Sequence, residues 1–321
     1  MLEIVSGRNN PSIDPHLEIW GWPVAAYLFL GGLTAGLMIL QGIFRLRNEE
    51  AKASFKMGSL LAPLLLSLGM FFLWLDLSYK AHVFRFYMTF QILSPMSWGA
   101  WILILVYPAA ILGMALPGGW ESWGKPISFV NPIWEWVKRL AGKHARAVAI
   151  ANIIMGLLLG IYTGVLLSAF AARPLWNSAL LPILFVVSGL STAAALNMSM
   201  KPAEIEFNRL LKWDIALITA ELSVLLLIII SFLTGGEAQQ EAVKLLLGGA
   251  YTPSFWIFVV ILGLSMPFWL EVRESRHLPV PGWAAPVLIL VGGLALRLVL
   301  VYAGQASYIP DTEMLSGFSG H

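Results

Sequence analysis

The 321-residue chain contains no cysteine. Disulfides, thiolate metal sites and cysteine-ligated iron–sulfur clusters are therefore excluded within it, and any such cluster would have to sit on a partner. Charge is scarce as well: Asp, Glu, Lys and Arg make up 12% of the residues against 58% hydrophobic, and the mean hydropathy is +0.78. A soluble chain of this length cannot enclose so much apolar surface in one core, whereas runs of about 20 apolar residues match a hydrocarbon layer of about 30 Å. The composition is that of a polytopic membrane protein.

Histidine is missing from the apolar runs. His16, His82, His144, His277 and His321 all fall in tails or connections. A haem b in a membrane bundle is normally held by axial ligands facing each other from the spans, most often histidines, so no haem is expected. Zinc spacings and phosphate-cradling glycine loops are lacking too, so no metal site is expected. A net charge of +2 gives no argument for nucleic-acid binding. The first 20 residues lack a basic stretch followed by an apolar one. No cleavable signal is expected, and the first span directs its own insertion.

What is present is a series of eight apolar spans, at about 18–43, 57–79, 97–116, 148–170, 178–198, 210–234, 254–272 and 283–305. An even number puts both termini on one side. The tails and the connections on their side hold five basic residues, Arg8, Lys80, Arg85, Arg173 and Lys244. The opposite connections hold thirteen: Arg45, Arg47, Lys52, Lys56, Lys125, Lys138, Arg139, Lys143, Arg146, Lys201, Arg209, Arg273 and Arg276. Basic residues collect on the cytoplasmic side, so both termini are expected to face outward, towards the periplasm in a diderm bacterium. The inward connection 117–147 contains NPIWEWVKRLAGKHARAV, with Ile133, Trp134, Val137 and Leu140 on one helical face and Lys138, Arg139 and Lys143 beside it. That pattern predicts a helix lying in the inner interface.

Small residues mark the first span, whose Gly31, Gly32 and Gly36 allow a neighbouring helix to approach closely. GGLTAGLMI at 31–39 has an echo in SGLSTAAAL at 188–196, offset by 157 residues, which hints at two related four-helix halves. Two ionisable residues, Glu221 and Arg297, lie well inside spans six and eight. At about 1.5 Å per residue they sit about 16 and 21 Å from the inner ends of their spans, close enough in depth to meet. A structural ion pair and a proton path, with Asp214 as a further member, are both open readings.

The most informative stretch is Phe71–Trp101, FFLWLDLSYKAHVFRFYMTFQILSPMSWGAW. It closes a span on Asp76, crosses a loop carrying Lys80, His82 and Arg85, and re-enters the membrane after Ser94-Pro95-Met96-Ser97-Trp98-Gly99. A carboxylate at the lip of a span is costly and therefore a functional candidate, although a helix cap in headgroup water explains the position too. Tyr27 in span one and Tyr162 in span four lie about 12 to 13 Å below the outer edge and Asp76 about 5 Å. Trp20 and Trp22 stand at the rim. Taken singly, the tryptophans read as interface-belt residues, Tyr27 as a packed tyrosine and His82 as an exposed loop residue. Together they describe an apolar cavity with aromatic walls and polar groups at two depths, which suits an amphipathic ring with two oxygens and a lipid tail: a quinone.

WPVAAYLFLGGLTAG at 22–36, DLSYKAHVFRFYMTF at 76–90, SPMSWGAW at 94–101, ARPLWN at 172–177 and LRLVLVYAGQ at 296–305 together resemble the NrfD and polysulfide reductase membrane-subunit family, across nearly the whole chain. The resemblance implies an all-α integral membrane fold of eight transmembrane helices in two four-helix bundles, residues 1–177 carrying the quinone site and 178–321 forming the second bundle. It implies no haem or iron–sulfur cluster in this chain. It also implies a menaquinone or ubiquinone site near the periplasmic face of a bacterial inner membrane, next to a four-cluster iron–sulfur partner, with a molybdopterin catalytic subunit beyond it in many members. Carried over residue by residue, the family's acid at the end of span two matches Asp76, expected to be catalytic, and its span-four tyrosine matches Tyr162. Val24 and Tyr27 occupy the region where some relatives place polar residues. Asp-Leu-Ser-Tyr-Lys-Ala-His after span two departs from the commoner Asp-Leu-Gly-Arg-Pro and looks like the sulfur-compound-reductase side of the family. The expected quinone-binding set is Tyr162, His82, Tyr27, Trp22 and Arg85. The chain is thus expected to exchange two electrons between the quinone pool and its partner in a respiratory complex. A secondary ion-coupled transporter using Glu221 and Arg297, and a purely structural anchor, are the competing readings.

Overall fold

The computed structural model describes residues 20–47, 53–77, 79–88, 90–92, 94–116, 131–170, 172–200 and 202–307. The two termini, with His16 and His321, and residues 117–130 of the long inward connection lie outside the described residues. All regular structure among those described is helical. Among the described residues, eight helices are long and apolar enough to cross a membrane. They are α1 (Trp22–Leu46), α2 (Ala53–Asp76, apolar from Gly58), α4 (Pro95–Met114), α6 (Ala145–Ser168), α7 (Leu181–Ser199), α8 (Glu204–Leu233), a π-type segment Ser254–Ser265 continuing into α10 (Met266–Ser275), and α11 (Ala284–Ala306). Each expected span overlaps one of them, and the boundaries move by a few residues where Pro23, Pro95 and Pro182 start helices in their first turn.

Among the described residues, three short helices lie between the spans. The α3 helix (Arg85–Met88) follows a 3₁₀ turn at Lys80–His82, and α5 (Asn131–Lys143) precedes α6. The third, α9 (Glu237–Leu247), lies in a stretch expected to be a plain connection. It is helical because Ala242, Val243 and Leu246 form a buried stripe at helical spacing, and Trp256 Nε1 donates to the Leu246 carbonyl at 3.1 Å. A helix, α5, forms where one was expected in this connection, with a different face packed from the one the sequence marked. Trp134, Val137 and Ala141 pack on Ala115, Leu116 and Val148, while Ile133, Trp136 and Leu140 are exposed.

The centre of the molecule is α1, which packs against α2, α6, α7 and α11 and is buried along most of its length. Lipid tails are as apolar as leucine, so such contacts are held by close van der Waals fit rather than by exclusion of water. The fit is tightest where α1 crosses α7. A Cβ on Gly189 would lie 2.5 Å from the Gly32 carbonyl oxygen, and one on Gly36 would overlap the Gly189 carbonyl and lie 2.7 Å from the Ala193 Cβ. Gly32 and Gly189 are equivalent positions of the sequence echo, so the two similar stretches touch each other at matching residues.

The Arg173-Pro174-Leu175-Trp176-Asn177 turn between α6 and α7 is tied to the end of α11. Arg173 Nη1 donates to the carbonyls of Gln305 (2.5 Å) and Ser307 (3.0 Å), and Trp176 Nε1 donates to that of Leu300 (2.7 Å). Gln305 in turn accepts from the Trp20 amide through Oε1 (2.8 Å) and donates to the Trp20 carbonyl through Nε2 (2.5 Å). The start of the described chain is thereby pinned to its end.

Candidate functional site

Four spans and the loop over them enclose a cavity of about 320 Å³. Its walls repeat one spacing. Trp20, Val24 and Tyr27 line it from α1 and its lead-in; Met70, Leu73, Trp74 and Leu77 from α2; Met96, Gly99, Ala100 and Leu103 from α4; and Tyr162 and Leu166 from α6. Each set follows the three-and-four spacing that places residues on one helix face. Asp76 stands at the end of α2, and Val83 and Tyr87 close the space from the loop. The cavity lies at the end of the bundle where α1 and α4 begin and α2 and α6 end.

Its polar groups are few. Tyr27 Oη is buried with no hydrogen-bond partner among the described residues, a costly state for a phenol in an apolar surround. Tyr162 is 7% exposed, its ring seated against Gly99, where no side chain would fit. The groups bearing on the Asp76 carboxyl are the Gly21 amide and the Lys80 ammonium, and Lys80 Nζ also donates to the Leu77 carbonyl at 3.1 Å. Burial, with Tyr107 nearby, pushes the Tyr87 phenol above its ordinary value, so it remains a neutral donor at any working pH. Trp74 Nε1 donates to the Lys80 carbonyl at 3.3 Å and Trp98 Nε1 to that of Ile92 at 2.7 Å, which holds the loop over the cavity.

Asp76, Tyr27 and Tyr162 are thus brought together. Trp22, His82 and Arg85 are not among the lining residues. Trp22 lies five residues from Tyr27, about 140° round the helix. It is 53% exposed and meets Phe72 instead, with ring centres 5.5 Å apart. His82 is exposed between Tyr79 and Phe84 in the loop, and Arg85 is exposed on α3. Trp20, read singly as a belt residue, is instead buried against Phe170 and Trp176 and forms part of the wall. Sequence reasoning missed Tyr87, Trp74 and Gly99. Extending the helical spacing from Met96 along α4 would have found Gly99, whereas Trp74, two residues from Asp76, lies off the face that Asp76 marks.

Glu221, Arg297 and Asp214 lie elsewhere, on α8 and α11, all buried. Glu221 and Arg297 are neighbours without direct ion-pair contact. Arg297 Nη1 donates to Ser188 Oγ (2.5 Å) and the Gly293 carbonyl (3.1 Å), its guanidinium lies 4.8 Å from the Phe185 ring centre, and Ser188 also faces Glu221. Ser188 therefore sits between the two charges. Glu271, which joins Asp214, does not stand out in the sequence.

Comparison with known proteins places this architecture. The chain is 29% identical over 304 residues to the C subunit of polysulfide reductase from Wolinella succinogenes, covering 89% of this chain and 94% of that protein. It is 29% identical over 311 residues to protein NrfD of Escherichia coli K12, covering 90% and 96%. The NrfD homolog of Haemophilus influenzae is 25% identical over 324 residues, covering 92% and 97%. The family described as "Polysulphide reductase, NrfD" matches residues 10–309, which takes in every helix above, and this eight-span chain belongs to that family.

Proposed function

We propose that the chain is the quinone-binding membrane anchor of a respiratory oxidoreductase complex, exchanging two electrons between the quinone pool and an iron–sulfur partner. The observation that carries this reading is the cavity itself: apolar and aromatic walls, the unpartnered phenol of Tyr27, the phenols of Tyr87 and Tyr162, and a carboxyl at the lip. Those groups fit a ring with an oxygen at each end and a tail that leaves towards lipid. The names of the relatives support membership in a multi-subunit reductase.

Residues 1–177 form the bundle with this site and 178–321 the second, with the Gly32–Gly189 contact on their seam. The termini and the cavity face the periplasm in a bacterial inner membrane. Quinol oxidation releases two protons with two electrons, and the electrons cannot leave unless the oxygens shed their protons nearby. Asp76 accepts the two protons in turn and passes each to water past the loop that carries His82. Tyr162 holds the other oxygen by a hydrogen bond; a phenol is a poor base at working pH. The iron–sulfur partner docks over the loop, and a molybdopterin subunit lies beyond it.

Purification of the complex through this chain, followed by metal and quinone analysis, tests the reading. Co-purifying iron–sulfur protein, with menaquinone or ubiquinone displaced by a quinone analogue, is expected. A chain isolated alone, with no quinone retained and no response to the analogue, would overturn it.

A further inference from the structure

Away from the cavity, two of the three buried acidic residues among those described lie on one face of α8 and the third on α10. Asp214 and Glu221 are seven residues apart, two turns along one side of the helix. Glu221 has Ser188 and the Arg297 guanidinium beside it. Asp214 has no such cation. It is fully buried, and the groups facing it are Ser191 of α7 and Glu271 of α10, with Glu221 further along α8. Glu271 is also fully buried and faces Asp214, with Glu274 one turn on.

None of the four carboxyl oxygens receives a formed hydrogen bond from the described residues, and the Ser191 hydroxyl, in a residue 1% exposed, faces Asp214 with no partner of its own. The cations of the surrounding helices are engaged or turned away. Arg297 is held by Ser188 and Gly293, the Arg273 guanidinium lies 4.7 Å from the Trp269 ring centre, and Lys212 is exposed.

Two ionised carboxylates facing each other here would place a double negative charge in a desolvated space without a counter-ion, where each loses its hydration and repels the other. A single proton relieves this. It removes one charge and makes one carboxyl a donor to the other, and Ser191 supplies a second donor. We propose that Asp214 and Glu271 form a proton-binding site that holds one proton between their facing carboxyls. It lies at the end opposite the cavity, because α8 begins and α10 ends there: Glu271 is four residues, about 6 Å, from the end of α10. Proton exchange therefore runs from that face, and Glu221 and Ser188 continue the polar row inward. Nothing about the site depends on what occupies the cavity.

Infrared difference spectra of the purified full-length chain in its complex, taken on exchanging water for D₂O, read the carbonyl stretch of a protonated carboxyl. The expected result at neutral pH is an exchange-sensitive band that sodium or potassium leaves unchanged and that Asp214→Asn/Glu271→Gln together remove. A band abolished by sodium or potassium would make this a metal-cation site, and a band unaffected by the double substitution would place the proton elsewhere. Either overturns the proposal. The single variants Asp214→Asn and Glu271→Gln each mimic the protonated partner in shape and donor capacity, so each is expected to assemble at wild-type yield. Failure of both to assemble would show that the pair needs two anionic groups, and would also overturn it.

Discussion

Gly99 of α4 and the Tyr162 ring of α6 compete for one volume: a Cβ on Gly99 would overlap Oη and Cζ of the tyrosine. The phenol keeps its place in the cavity wall only because position 99 has no side chain. Gly99→Ala should therefore push the ring off its position at about 1–3 kcal/mol in stability and weaken binding of a quinone analogue. Thermal denaturation and analogue titration check this. Adding Tyr162→Ala should recover most of the stability, because the two residues act on one space. Strictly additive losses would count against the shared volume.

Asp76 and Tyr162 should separate turnover from binding. Asp76→Asn is expected to assemble and bind the analogue normally while quinol-dependent reduction of the partner clusters falls about a hundredfold or more, the usual loss when a proton acceptor is removed. Tyr162→Phe should weaken the analogue by about fivefold to tenfold, the worth of one hydrogen bond, with a smaller effect at saturation. Near wild-type turnover in Asp76→Asn would make that acid a helix cap.

Gln305→Ala removes both partners of the Trp20 backbone, leaving a buried amide and carbonyl without hydrogen bonds. The cost should be about 1–3 kcal/mol for each group. Because Trp20 also lines the cavity, the loss of melting temperature should come with weaker analogue binding. A drop in melting temperature with unchanged affinity would mean that Trp20 holds its place through Phe170 and Trp176 alone.

Ser188 stands between Arg297 and Glu221, so it should mediate their coupling. Arg297→Leu leaves Glu221 uncompensated and is expected to cost about 3–5 kcal/mol and most of the detergent-extracted yield. Glu221→Gln keeps a neutral hydrogen-bonding group and should cost less. In the background of Ser188→Ala, the gap between these two variants should narrow. An unchanged gap would show that the charges act on each other without the hydroxyl.

The proposed outward placement of both termini predicts phosphatase activity from a reporter fused after His321 and fluorescence from a cytoplasm-dependent reporter inserted in 117–130. The reverse pattern would invert the topology.

The spans were legible because crossing a membrane demands long apolar runs, and only helices satisfy their own backbone there. Tyr27, Asp76 and Tyr162 were legible because a polar group inside such a run stands out. Tyr87 was not, since nothing in a loop sequence says which way it folds back. Trp20 and Trp22 differ only in phase, and the helix begins between them. Glu271 was hidden for another reason: it sits near a span end beside Arg273 and Glu274, where charged residues are ordinary, and only the packing of α10 on α8 buries it.

Alternating-access carriers work by rocking one repeat against another, which requires a seam that can slide or open. At the crossing of α1 and α7 there is little such freedom. At Gly36 and at Gly189 there is no room for a single methyl group, and the backbones themselves are the contact. A contact that close leaves no slack between α1 and α7 where they cross. On the proposed reading, charge then crosses the frame by passing from one fixed side chain to the next rather than by the rocking of one half against the other.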